Sequence, residues 1–199
     1  MTVLLAVAAG LAALLLGRAA VSAVNLRKNR RVGAEGLLLD QRTAPCSALR
    51  YGCFRASYNG CGVVATYNAA RLLGMSVHPA EIVRSFELRG ALLFGAFGTL
   101  PFAPPRFLRK CGCTVITSRR REDFDRLAKL HKVSILWYFH RRGAHFAAIR
   151  WDGTGFVGYN VFSGAGTPVP LGASLSVFLQ KRRYFLPLLF CVDPRSNRI

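Results

Sequence analysis

The stretch Tyr58-Asn-Gly-Cys-Gly-Val-Val-Ala-Thr-Tyr-Asn-Ala-Ala-Arg-Leu-Leu-Gly74 puts a thiol, Cys61, where a helix would begin. Gly60 breaks what precedes it, Val64, Ala65, Ala69, Leu72 and Leu73 recur at helical spacing, and Gly74 supplies a C-terminal stop. A sulfur at a helix N-terminus meets unpaired backbone N–H groups and the positive end of the macrodipole, and both favour thiolate over thiol. Thiolate is the nucleophilic form, so the pattern reads as a cysteine hydrolase that needs a general base elsewhere. Gly143-Ala-His-Phe-Ala-Ala-Ile149 offers that base, His145, at the start of an apolar strand. His140, at the end of the preceding strand, is the competing base.

A third role, orienting the imidazole, follows from the hairpin downstream. Asp152-Gly153 is a preferred dipeptide for a two-residue hairpin turn. With these as the turn residues, Trp151 faces Thr154 and His145 faces Asn160. Opposed side chains share a face with Cβ atoms about 4.5–5.5 Å apart. The Asn160 amide is therefore expected to fix the tautomer and orientation of His145, and a neutral amide suits a base that becomes imidazolium beside a thiolate. A one-residue shift of the turn would send Asn160 to the other face, so the expectation rests on turn type.

Cys61 on a helix, His145 on a later strand and Asn160 on the next resembles the order of papain-like cysteine peptidases. Asn59-Gly-Cys-Gly-Val-Val-Ala, a helix closing on Leu-Leu-Gly and a downstream His-Phe-aliphatic strand are similar to their bacteriocin-leader-processing branch, the double-glycine peptidases. The similarity covers residues 50 to 165. It implies a papain-like α+β fold, a peptide or protein substrate with glycines near the scissile bond, and a transporter or precursor peptide as partner. Papain-like enzymes usually carry a glutamine six residues before the cysteine to complete the oxyanion hole; Arg55 stands there, and Asn59 is the candidate that joins the Cys61 N–H.

Positioning these groups takes a helix on an antiparallel sheet. Helices are expected over Cys61–Leu73, Pro79–Leu88, Pro105–Lys110, Glu122–Leu130 and Ala173–Leu179. Strands are expected over Thr114–Ser118, Val133–Phe139, His145–Trp151, Gly155–Phe162 and Tyr184–Val192. Helices first and antiparallel strands afterwards is an α+β plan, with the nucleophile helix packed on the sheet.

Ahead of that domain, residues 2 to 24 carry one charge, Arg18. As a helix they span roughly 34 Å, enough for a bilayer core, with Arg18 reaching to the interface. Residues 1–26 are thus expected to form a transmembrane anchor, 27–43 a basic juxtamembrane arm and 44–199 the peptidase domain. Arg27-Lys-Asn-Arg-Arg31 follows the segment, which by the positive-inside rule places the domain on the cytoplasmic side. Val21-Ser-Ala23 resembles a signal-peptide cleavage site, but a basic n-region is lacking.

The chain has 199 residues, with 28 Lys plus Arg against 9 Asp plus Glu, a net charge of +19. Such a field draws anionic lipid, acidic substrates or nucleic acid. Nucleic acid is not expected, because no nucleic-acid-binding motif or interleaved aromatic pattern accompanies the basic clusters. Membrane lipid fits, through the N-terminal helix and the basic arm. The six cysteines are irregularly spaced and read as reduced; Cys111-Gly-Cys113 lacks a second pair for zinc, so no metal or organic cofactor is expected. The leading expectation is a membrane-anchored cysteine peptidase with Cys61, His145 and Asn160. An amidase or acyl transferase with the same triad, or a catalytically weak peptide-binding relative, are the alternatives.

Overall fold

A computed structural model describes residues 2–162 and 164–195. Helix α1, Thr2–Asn29, extends past the expected end of the anchor. Its buried residues are Ser22, Asn25 and Asn29, a polar stripe along one side of its C-terminal half. That stripe docks α1 onto the domain. Asn25 Nδ2 donates to the Gly52 carbonyl at 2.8 Å and to Glu87 Oε1 at 2.5 Å. Asn29 exchanges two 2.8 Å hydrogen bonds with the backbone of Arg50. Arg18 donates to the carbonyls of Glu87 and Ala91, near the end of a domain helix, where a cation meets the negative pole of the dipole.

Residues 30–49 form a strap packed along the domain, where the sequence suggested a juxtamembrane arm. Leu38 exchanges backbone bonds with the Asn68 side chain at 2.8 and 2.7 Å, and Tyr67 OH donates to the Ala34 carbonyl at 3.0 Å. A small hairpin follows, β1 (Arg50–Tyr51) with β2 (Phe54–Arg55), then the short α2 (Ala56–Asn59) and α3 (Cys61–Leu72). Next come α4 (Pro79–Arg89), α5 (Ala103–Lys110), β3 (Cys113–Ser118), α6 (Phe124–Leu130), β4 (Val133–His140) and β5 (Gly143–Trp151). The chain continues through β6 (Phe156–Tyr159), β7 (Val169–Gly172), α7 (Leu175–Lys181) and β8 (Phe185–Pro194).

Strands β3 to β8 make one antiparallel sheet in the order β3-β8-β4-β5-β6-β7, so the last strand lies between β3 and β4. Alternating strand residues feed two cores. On one face Ile135, Phe146, Phe190 and Val192 pack against Ala65 and Ala69 of α3 and Leu108 of α5. On the other Leu136, Ile149 and Leu189 pack against α6 and α7 through Phe124, Leu175 and Leu179. The expected nucleophile helix on a sheet is present, and β7 is a strand the sequence reading did not include. Gly62 lets α3 come close to the segment between α4 and α5: a Cβ there would lie 2.8 Å from Thr99 Cβ and Oγ1.

Candidate active site

Cys61 is the first residue of α3, entered directly from α2 through Gly60. A Cβ on Gly60 would lie 2.5 Å from the Ala56 carbonyl oxygen, so the tight joint between the two helices needs glycine. The thiol lies beside β5, within reach of the backbone amide of Phe146, the residue that follows His145. That amide is free because β6 pairs with β5 only from Ala148↔Tyr159 outward. The thiol thus occupies the edge of β5 that β6 has left. Its environment works in two directions. Burial pushes the thiol up to about 11, while the amides of Phe146, Gly62 and Cys61 itself pull toward thiolate. Burial thus opposes the helix-terminus effect expected from the sequence.

His145 stands on β5 over a stack of Tyr138 and Tyr184, whose rings are 4.3 Å apart. Its Nε2 lies 2.6 Å from the backbone carbonyl of Asn160. A carbonyl only accepts, so Nε2 carries the hydrogen and the neutral ring leaves Nδ1 as its basic atom. Burial holds His145 down to about 4; the Asn160 carbonyl pulls upward and His140 adds to the lowering. His140 has its Nδ1 engaged by the Arg142 amide at 3.2 Å, and burial lowers it as well.

Asn160 does meet His145, but through its main chain. The expected two-residue turn is a four-residue loop, Asp152 to Gly155, in which Asp152 Oδ1 accepts from Thr154 N at 2.9 Å and Gly155 N at 2.8 Å. Trp151 consequently faces Phe156 instead of Thr154. This two-residue shift preserves the face, yet the ladder ends at Tyr159 and Asn160 turns into the left-handed region at φ 58°. Asparagine is among the few non-glycine residues that tolerate this conformation. The turn aims its carbonyl at His145 and its side chain at the strap. Gln41 N donates to Asn160 Oδ1 at 3.0 Å, and Asn160 Nδ2 donates to Gln41 Oε1 at 3.3 Å.

Gln41 is the residue that sequence reasoning missed. It lies in a segment without periodicity and 119 positions from its partner. The strap is fixed on both sides of it, by Gln41 Nε2 donating to the Ser57 carbonyl at 3.1 Å and by Asp40 Oδ2 accepting from Gly164 N at 2.6 Å. Strap and Gly164–Gly166 together border a groove of about 350 Å³. Asn59, the oxyanion-hole candidate, is buried; its Nδ2 donates to the Gly95 carbonyl and its Oδ1 is buried without a partner. The amide donors around the sulfur are those of Phe146, Gly62 and Cys61. Arg55 is exposed and donates to the Ser47 carbonyl. Among the described residues no cluster of three His, Cys, Asp or Glu is arranged to hold a metal.

Among solved structures, the fold is similar to the peptidase domain of Streptococcus ComA, a bi-functional ABC transporter involved in a quorum-sensing pathway. The TM-score is 0.52 at 13% identity, over 69% of this chain and 93% of that chain. No family model matches the sequence, and no curated protein matches it. At this identity the likeness establishes the α+β peptidase-domain fold.

Proposed function

We propose that the chain is a cysteine peptidase that acts at a membrane surface, with Cys61 as nucleophile and His145 as base. One observation carries the reading: the thiol at the α3 N-terminus abuts the amide after His145, while the Asn160 carbonyl holds Nε2 of that ring. His145 Nδ1 takes the thiol proton as Sγ attacks the scissile carbonyl carbon. The amides of Cys61 and Gly62 receive the oxyanion. The imidazolium returns its proton to the leaving amine, and water then hydrolyses the acyl-enzyme. Asn160 is a positioning residue. The likeness to the peptidase domain of a transporter supports a peptide substrate, with Gly-Gly before the scissile bond as the form to test first.

Helix α1 is long and apolar enough to cross a membrane. In this reading it anchors the domain, and the exposed Arg27 and Lys28 in its last turn put the domain on the cytoplasmic side. The test is turnover of a Gly-Gly peptide by the full chain in detergent or bilayer. Cys61→Ala and His145→Ala should each abolish it with the fold retained by circular dichroism. Undiminished turnover in either variant would overturn the assignment.

A further inference from the structure

The loop between α4 and α5 turns large apolar side chains outward. Leu93 and Phe97 are 69% and 72% exposed, and Leu92 is 38% exposed. The loop is closed at its base by the Ala91↔Thr99 bridge and by Leu92 N donating to the Gly98 carbonyl at 3.1 Å. Leu93 and Phe94 sit at φ 43° and 54°, a conformation that residues with a Cβ rarely adopt and that persists where surroundings enforce it. The enforcing contact is the β1–β2 turn, where Cys53 N donates to the Phe94 carbonyl at 3.0 Å. Next to that turn Phe54 and Tyr58 extend the apolar surface, their rings 5.7 Å apart and Tyr58 70% exposed.

The position of this surface is set by α1. Along that helix the domain contacts pass from Asn29 on Arg50, to Asn25 on Gly52 and Glu87, to Arg18 on Glu87 and Ala91. Ala91 is therefore where α1 leaves the domain, and the apolar loop starts at the next residue. From that point residues 2–17 run on as a fully exposed, charge-free apolar helix. With α1 read as a membrane span, the bilayer begins where the helix leaves the domain, at the level of Arg18 and Ala91. Exposed Arg89 and Arg106 stand on the flanking helices, Arg106 over the Phe102 ring at 6.0 Å, as cations do at anionic headgroups.

We propose that the Leu92–Phe97 loop, with Phe54 and Tyr58, is a second membrane contact that dips into the same bilayer α1 enters. The inference rests on the reading of α1 as a membrane span. Asn59 donates to Gly95 of this loop two residues before Cys61, so the contact holds the nucleophile close to the headgroup plane. A substrate that reaches it approaches along the membrane surface.

The test is tryptophan quenching in the full chain, reconstituted in phosphatidylcholine–phosphatidylglycerol vesicles with lipids brominated near the top of the acyl chain. Phe97→Trp reports the loop and Val7→Trp reports α1. Leu130→Trp reports α6 on the opposite face of the sheet. Native Trp137 and Trp151 give the unsubstituted background. The expected result is an added emission component that loses intensity in brominated vesicles for Phe97→Trp and Val7→Trp, and no such loss for Leu130→Trp. Quenching of Val7→Trp without Phe97→Trp would refute the loop contact and leave the anchor standing, freeing the patch for a peptide or a second copy. No quenching at Val7 would overturn the anchor and the inference with it. Equal quenching of all three would show non-specific adsorption and refute the proposal.

Discussion

Replacing Asn160 separates its carbonyl from its amide. If the carbonyl orients His145, what matters is that residue 160 stay in the left-handed region, where its φ is 58°. Glycine occupies that region without steric cost, whereas alanine pays about 1 kcal/mol or more. Both substitutions remove the two bonds to Gln41, at about 0.5–1.5 kcal/mol each. Asn160→Gly should therefore keep more activity than Asn160→Ala, by roughly fivefold for 1 kcal/mol expressed in the barrier. Gln41→Ala, which leaves the left-handed residue intact, should fall with the glycine variant. The measurement is kcat/KM on a Gly-Gly peptide, with thermal denaturation alongside to separate stability from turnover. If Asn160→Gly is as inactive as Asn160→Ala, or worse, the amide side chain acts on His145 directly and the carbonyl argument fails.

Two other predictions come from the same neighbourhood. His145, held at about 4 by burial, loses its Nδ1 acceptor only when protonated. Peptidase kcat/KM should accordingly stay level from pH 7 down to 5 and fall as pH drops through about 4; a limb near the ordinary histidine value would contradict the burial of the ring. Gly62→Ala forces a methyl against Thr99, whose Oγ1 is held by Tyr51 OH at 2.8 Å. It should cost about 1–3 kcal/mol by overpacking, read as a lower Tm, and Thr99→Ala in the same chain should restore most of the loss. Failure of that rescue would place the strain elsewhere.

The parts of this site that were legible in the sequence are those with local signals. Cys61 was marked by glycines and by a periodic helix behind it, and His145 by an alternating apolar strand. Asn160 was found for a reason the structure revises. Asp152-Gly153 suggested the shortest turn, but the Asp152 carboxylate gathers the amides of Thr154 and Gly155 and makes a longer one. A side chain's choice among nearby donors is not written in a dipeptide. The helix terminus that favours thiolate is a local signal, whereas the burial that opposes it involves residues distant in sequence, Phe146 of β5 among them. Gln41 carried no signal at all, since a strap has no period and its partner lies beyond β6.

The sheet order also has a bearing on when the candidate site can first form. β8, the last strand made, fills the position between β3 and β4 and contributes Leu189, Phe190 and Val192 to the two cores. While the chain is being synthesised, β3 and β4 have open edges toward each other, and the platform beneath His145 lacks Tyr184 as well. The surroundings of His145 are therefore completed only when β8 has paired, after every other strand of the sheet has been made.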